Sequence, residues 1–292
     1  MKYEAIHRYR SEFRVVKMCK ALGIRESGYY QWNKREAKRK ARALKDFGLI
    51  LRIEKVFNES KETYGARRIF KVFKKEETGL SAYKIRRLMR ESGLYPVTSK
   101  KFKPYPEAKS DGRYSDNLVK QEFEVTEPDK VWAGDITYIK STLGWVYLSV
   151  VIDLFNREVV GYSISKSPNT ELIKRALGNA LASRNKPVKL TFHSDRGVQY
   201  SSNGYHDFLS ENDIISSMSK PGCPYDNSCV ESFFATTKRE CLNRRRYDTM
   251  EEIENDIFEY IQIFYNRKRI HSTLGYMSPV DYRRMKEGGI SA

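Results

Sequence analysis

Apolar positions change their period part-way along the chain. Over residues 10–100 they recur at helical spacing. Phe13, Val16, Met18, Cys19 and Leu22 form a first stretch that Gly23 stops, Tyr29, Tyr30 and Trp32 a second, and Leu44, Leu49, Ile53 and Phe57 a longer third. Helix, glycine-containing turn and helix over 11–37 is the layout of a helix-turn-helix, whose second helix enters a major groove. A second helical hairpin is predicted near 60–95, from Tyr64-Gly65-Ala66-Arg67-Arg68-Ile69 and the segment Ser81 to Met89. There Ser81 reads as an N-cap, Ile85, Leu88 and Met89 as an apolar stripe, and Lys84, Arg86, Arg87 and Arg90 lie off it. Residues 97–127 show no period and carry Pro104, Pro106 and several lysines, which predicts a linker over 101–125 after a helical region over 1–100.

Beyond the linker the period becomes that of strands. Val131 to Lys140 alternates, Thr142-Leu143-Gly144 turns, and Trp145 to Phe155 is an almost continuous apolar, β-branched run. Asn156-Arg157 turns into Glu158 to Ser165. A helix over Thr170 to Ser183, a strand over Lys189 to Ser194, a helix over Asn203 to Asn212 and a strand over Ile214 to Met218 follow, and the chain after Pro224 reads as helical to about Asn266. This order is mixed α/β and is that of a ribonuclease-H-like fold with a five-stranded sheet, although periodicity alone does not select it. The predicted organisation is therefore an N-terminal all-α region followed by a core over 126–292 with a C-terminal helical tail.

Charge separates the same two regions. Of the 54 Lys+Arg and 37 Asp+Glu in 292 residues, residues 1–120 hold 32 and 14, and residues 121–292 hold 22 and 23. The whole excess sits in the helical part, as suits a polyphosphate partner whose counterions are released on binding. Lys34, Arg35, Lys38, Arg39, Lys40 and Arg42 are the densest run, and with Arg67, Arg68, Arg86 and Arg87 they are candidate DNA contacts. The alternative is the solvated basic face of a helical bundle. No window reaches the ~18 apolar residues of a membrane span, and Met1-Lys2-Tyr3-Glu4-Ala5 has no secretory core, so the cytoplasm is predicted. Four cysteines without a C-x-x-C pair and four histidines support neither a disulfide scaffold nor a zinc site.

Three acids stand out against this background. Asp135 lies inside the first strand, Asp195 ends the fourth, and Glu231 opens the long helix. Strands one and four as neighbours would bring the aspartates to one sheet edge, with the helix delivering Glu231. Converging carboxylates need an offsetting cation. Hard, oxygen-coordinated Mg²⁺ is the natural one, with two ions ~4 Å apart serving in-line phosphoryl transfer. Singly, each acid also has an ordinary reading as a turn, loop or first-turn residue. Lys238, two helical turns after Glu231, is a candidate DNA contact near the reacting phosphate. Asn227 either contacts DNA or caps the helix, and His193 either orients water or DNA or is a satisfied strand-end histidine. Asp153 reads as a turn residue, and Gly197 and Gly222 as loop geometry.

Three segments carry a family resemblance: Trp132-Ala133-Gly134-Asp135-Ile136-Thr137-Tyr138, His193 to Tyr200, and Asp226 to Phe234. The chain resembles the OrfB part of an IS3-family insertion-sequence transposase, a relative of retroviral integrases with a DDE catalytic core. Thirty-five residues separate Asp195 from Glu231, the family's D(35)E spacing, and Lys238 stands where the family carries a basic residue. Cys19 to Trp32, Tyr64 to Ile69 and Tyr265 to Pro279 also resemble it. The resemblance implies a polynucleotidyl transferase that hydrolyses a strand at the element's end and joins the 3′-hydroxyl to another phosphodiester. It implies Asp135, Asp195 and Glu231 as ligands of Mg²⁺, with Mn²⁺ as a substitute. Its implied partners are double-stranded DNA of the terminal inverted repeats and of the target. A homodimer or larger synaptic complex at the nucleoid is expected, together with an OrfA product or an OrfA–OrfB fusion context. The zinc module of retroviral integrases has no counterpart in this sequence, nor does a long heptad zipper. Two other readings remain: a structure-selective nuclease that cuts without joining, and a non-catalytic DNA-binding regulator.

Overall fold

The computed structural model describes residues 1–74, 80–97, 114–119, 125–220 and 227–288, and the chain divides into two compact units, Met1–Tyr95 and Pro96–Ala292. Among the described residues no helix is long and apolar enough to cross a membrane.

The first unit is helical: α1 (Lys2–Tyr9), α2 (Val15–Ala21), α3 (Glu26–Glu59), α4 (Ala66–Lys74) and α5 (Ala82–Glu91). Gly23 ends α2 as the sequence predicts. It adopts φ +63°, and the Ile24 N–H returns to the Cys19 carbonyl at 3.0 Å, a glycine C-cap that satisfies the last helical carbonyls. α3 departs from the expectation, because the segments read as separate helices form one of 34 residues. The basic run lacks an apolar stripe, yet Lys, Arg and Ala are strong helix formers and carry the helix through. Ile6, Cys19 and Tyr29 make a small core at the N-terminal end of α3, with the Tyr3 ring stacked on Trp32 at 5.8 Å. Near its other end Leu49, Ile53 and Phe57 are buried, as are Ile69 and Phe73 of α4 and Ile85, Leu88 and Met89 of α5, where the three helices meet. Ser81 caps α5 by accepting the Lys84 N–H at 3.2 Å.

The second unit is built on a mixed sheet of β1 (Val131–Ser141), β2 (Gly144–Asp153), β3 (Val159–Ser165), β4 (Thr191–Ser194) and β5 (Ile215–Met218), in spatial order β3-β2-β1-β4-β5. β1 to β3 form an antiparallel meander, and β4 and β5 add in parallel on the other side of β1. The strand pairs parallel to one another require crossovers, supplied by α6 (Thr170–Ser183) and α7 (Asn203–Glu211). Trp132, Phe192, Tyr200 and Tyr205 join Ile173, Ala176 and Leu177 of α6 in one buried cluster. The chain continues through α8 (Ser228–Glu240), α9 (Met250–Phe258), a π-type stretch over Glu259–Tyr265 and α10 (Pro279–Gly288).

Two further expectations are revised. The segment after Pro224 is not one helix: it breaks after Glu240 and restarts at α9 through a reciprocal cap between Thr249 and Glu252. The predicted linker lies mostly outside the described residues, but 114–119 is no free connector. Leu118 N–H donates to Ser217 Oγ at 3.0 Å, Ser115 Oγ to Ser216 Oγ at 2.9 Å, and Met218 N–H to the Asp116 carbonyl at 3.2 Å. This segment therefore covers the open edge of β5.

Candidate active site and its place in a known family

Asp135 sits in the middle of β1, opposite Val150 of β2, and its Oδ1 accepts the N–H of Ile136 at 2.6 Å. The neighbouring Gly134 is required by space: a Cβ there would lie 2.4 Å from Phe192 Cζ and 3.1 Å from the Val150 carbonyl. β1 and β4 pair in parallel with Ala133 opposite His193. Continuing that register by two residues sets Asp195 level with Asp135. Asp195 Oδ1 accepts the Gly197 N–H at 3.0 Å in the turn that leaves β4. Both aspartates act on one buried neighbour, Tyr200. Burial, then the charges of Asp135, Tyr205 and Asp195, hold its hydroxyl well above the usual phenol range, against a lowering hydrogen bond with Ser149.

α8 packs on β1 and carries the remaining candidates. Lys238 Nζ rests 4.0 Å from the centroid of the Tyr138 ring. Burial lowers its pKa and the charge of Asp135 opposes that, so the ammonium lies within the field of the first acid. Glu231 is exposed in the first turn of α8. Among the described residues no three acidic, histidine or cysteine side chains gather closely enough to hold a metal ion. β1 thus carries Asp135 and the turn after β4 carries Asp195, while Glu231 stands exposed on the helix.

Asn227 stands at the N-cap position of α8 without a side-chain cap bond: it is 5% exposed, and among the described residues neither amide atom has a hydrogen-bond partner. His193 is fully buried, with hydrogen bonds joining Nδ1 to Ser217 Oγ at 2.9 Å and Nε2 to Ser219 Oγ at 3.2 Å, which matches the satisfied strand-end reading. Asp153 accepts the backbone N–H groups of Phe155 and Asp129, each at 3.0 Å, as a turn residue does. Gly222 and Asp226 lie outside the described residues.

In the first unit Lys34, Arg35, Lys38, Arg39 and Lys40 are exposed on α3, as are Arg67 on α4 and Arg86 on α5. Arg68 lies 5.6 Å over the Tyr64 ring. Arg87 is held internally by Asp46 at 2.8 Å and Glu91 at 3.3 Å. Sequence reasoning missed the buried pair formed by Glu240 and Arg269, 29 residues apart. The available signal was an acid in the position where the α8 stripe Val230, Phe233, Thr237 calls for another apolar residue.

Models described as Integrase core domain match residues 125–224 and 231–286, and an HTH-like domain model matches 44–102, which covers the second predicted hairpin and not 11–37. The transposase InsF for insertion sequence IS3A of Escherichia coli strain K12 is 36% identical over 282 residues, covering 97% of this chain and 98% of that protein. The chain belongs to the IS3 family of DDE transposases. The transposase for insertion sequence element IS904 of Lactococcus lactis is 40% identical over 234 residues, 80% of this chain and 92% of that relative. Among solved structures, a chain of the simian T-cell lymphotropic virus intasome in complex with PP2A regulatory subunit B56 gamma is similar at TM-score 0.46 and 16% identity, over 70% of this transposase and 67% of that chain. The catalytic domain of Mos1 mariner transposase is similar at TM-score 0.42 and 15% identity, over 55% of this chain and 76% of that one. The transposase is an enzyme of DNA transposition, with an integrase core of ribonuclease-H-like fold behind an HTH-like helical region.

Proposed function

We propose that this transposase cleaves the ends of its own insertion sequence and joins the freed 3′-hydroxyls to another DNA phosphodiester, with Asp135, Asp195 and Glu231 as its catalytic acids. The observation that carries the proposal is the parallel pairing of β1 with β4 in an integrase core, a register that, continued two residues past Ala133 and His193, brings Asp135 level with Asp195. Their oxygen-only donors suit a hard divalent cation, which Asp135 and Asp195 would hold; Glu231, exposed and not gathered with them, would join it on a shift of α8. Mg²⁺, or Mn²⁺ in its place, when bound as a pair of ions supplies a more acidic attacking oxygen and neutralises charge on the leaving one. The rest falls to the chain. The β1–β4 pair carries Asp135 and leads directly into Asp195, and Lys238, already within the field of Asp135, would meet a phosphate oxygen of bound DNA. Asn227, the other candidate at α8, is buried and would reach DNA only if the start of α8 opened. Binding to double-stranded DNA of terminal repeats and target falls to the exposed cations of α3 (Lys34, Arg35, Lys38, Arg39, Lys40), Arg67 and Arg68 of α4, and Arg86 of α5. Arg87, paired with Asp46, is a further candidate contact. The enzyme acts in the cytoplasm, at the nucleoid, as a homodimer or larger synaptic complex, with an OrfA portion alongside.

The test incubates the purified chain, with and without added OrfA product, with labelled DNA bearing the element's end, in Mg²⁺ or EDTA. Joined strands that require Mg²⁺ are expected, and Asp195→Asn retains DNA binding while abolishing them. Cleavage without joining would make the protein a nuclease, and strand transfer by the Asp195→Asn variant would remove Asp195 from the site.

A further inference from the structure

We infer that the buried ion pair between Glu240 and Arg269 sets the position of α8, making these two positioning residues for Glu231 and Lys238. The inference rests on the roles proposed above for those two. Glu240 is the last residue of α8, and Arg269 follows the π-type stretch Glu259–Tyr265. Arg269 Nε donates to Glu240 Oε2 at 2.7 Å and a terminal nitrogen to Oε1 at 2.8 Å, while the Tyr260 hydroxyl donates to Oε2 at 2.9 Å. Glu240 is 3% exposed and Arg269 4%. The same tail grips the helix a second time, where the Phe233 ring meets Tyr265 edge-on at 4.8 Å.

Apolar residues of similar volume generally serve stability as well as a buried ion pair does, so stability alone does not call for charge here. What a forked, two-bond pair adds is direction: it fixes the angle between guanidinium and carboxylate, and hence between tail and helix. α8 buries Val230, Phe233, Phe234 and Thr237 on the stripe that ends at Glu240, and an apolar stripe permits rocking that a fork does not. Glu231 lies nine residues from this anchor, about 13 Å along the helix. A rotation of about 10° at Glu240 would therefore carry Glu231 roughly 2 Å sideways, and a displacement of about 1 Å at a reacting centre can cost ~100-fold in rate.

The decisive variant replaces the pair with apolar groups, Glu240→Leu with Arg269→Met, in the full chain. Melting temperature and DNA affinity are expected to stay at or above wild-type values. Single-turnover strand transfer on saturating DNA should fall at least 10-fold, and amide hydrogen exchange over 228–240 should accelerate. Arg269→Lys, which keeps the charge and loses the fork, should fall between the two. Wild-type transfer and exchange in the double variant would overturn the inference, as would a loss of transfer only in step with loss of folding. Should the wild-type chain transfer no strand, the functional proposal fails, and hydrogen exchange across α8 still decides the positioning role.

Discussion

One buried acid, Asp153, contributes stability to the core that falls as pH rises, the reverse of what a paired carboxylate contributes. Asp153 is fully buried at the end of β2, and burial pushes its carboxyl from 3.8 up to about 7, against the N–H bonds from Phe155 and Asp129 and with repulsion from Asp129 and Glu158. Between those two values the folded state holds a proton that the unfolded chain has released. The free energy of unfolding therefore falls as pH rises through that window. The whole shift corresponds to roughly 4 kcal/mol, of which about 2 kcal/mol is lost between pH 5.5 and 8. Burial also raises Glu158, which adds with the same sign. Trp132 is a built-in reporter, because it is fully buried and its indole N–H donates to Asp129 Oδ1 at 3.2 Å. Urea unfolding followed by its fluorescence, in a Trp32→Phe, Trp145→Phe background, should give stability that declines from pH 5.5 to 8. Asp153→Asn should remove about 2 kcal/mol of that decline. An unchanged slope in the Asn variant, or wild-type stability that rises over this range, would refute the reasoning.

Three further outcomes are expected. Gly134→Ala drives a methyl against Phe192 and the β2 backbone beside Asp135, so it should destabilise by about 1–3 kcal/mol in thermal unfolding and lower strand transfer. Gly178→Ala, where a Cβ meets nothing within 4 Å on α6, should stabilise by up to about 1 kcal/mol. Reversing Lys38 and Arg39 to glutamate should weaken DNA binding and flatten its salt dependence by about two units of slope; an unchanged slope in a titration would mark the run as solvated surface.

Much of the core was legible because its strands alternate and its turns carry recognisable residues. The expected strands from Val131, Trp145 and Glu158 coincide with β1 to β3 within two residues at their ends. The aspartates were legible as charges in or beside buried strands, but their level placement required the β1–β4 register, which no local pattern encodes. α1 escaped notice because Ile6 is its only buried residue and its apolar contacts, Tyr3 on Trp32 among them, are tertiary. The break between α8 and α9 lacks glycine and proline, although Thr249 and Glu252 carry the spacing of a capping box. The segment 114–119 has too few apolar residues to read as part of a sheet, since its bonds go mainly to serines and backbone of β5. Asn227 has the residue type and the position of an N-cap, and only the tertiary packing buries its amide without a cap bond.

The single helix α3 also turns the spacing within the first unit into a matter of counting. One small core gathers at Tyr29 and the other at Ile53, and 24 residues of continuous helix hold them about 36 Å apart. Residues 37–45 between them are exposed on every side, so no packing partner restricts their identity apart from the helix itself. Their number is another matter. Each inserted residue would lengthen the spacer by about 1.5 Å and swing one core about the other by roughly 100°. Insertion of seven would nearly restore the original facing, whereas insertion of two would turn the HTH-like end to the opposite side. Packing thus leaves the composition of the spacer to the DNA contacts proposed for Lys38, Arg39 and Lys40, while the facing of the two small cores tolerates a change of length only in near-whole turns.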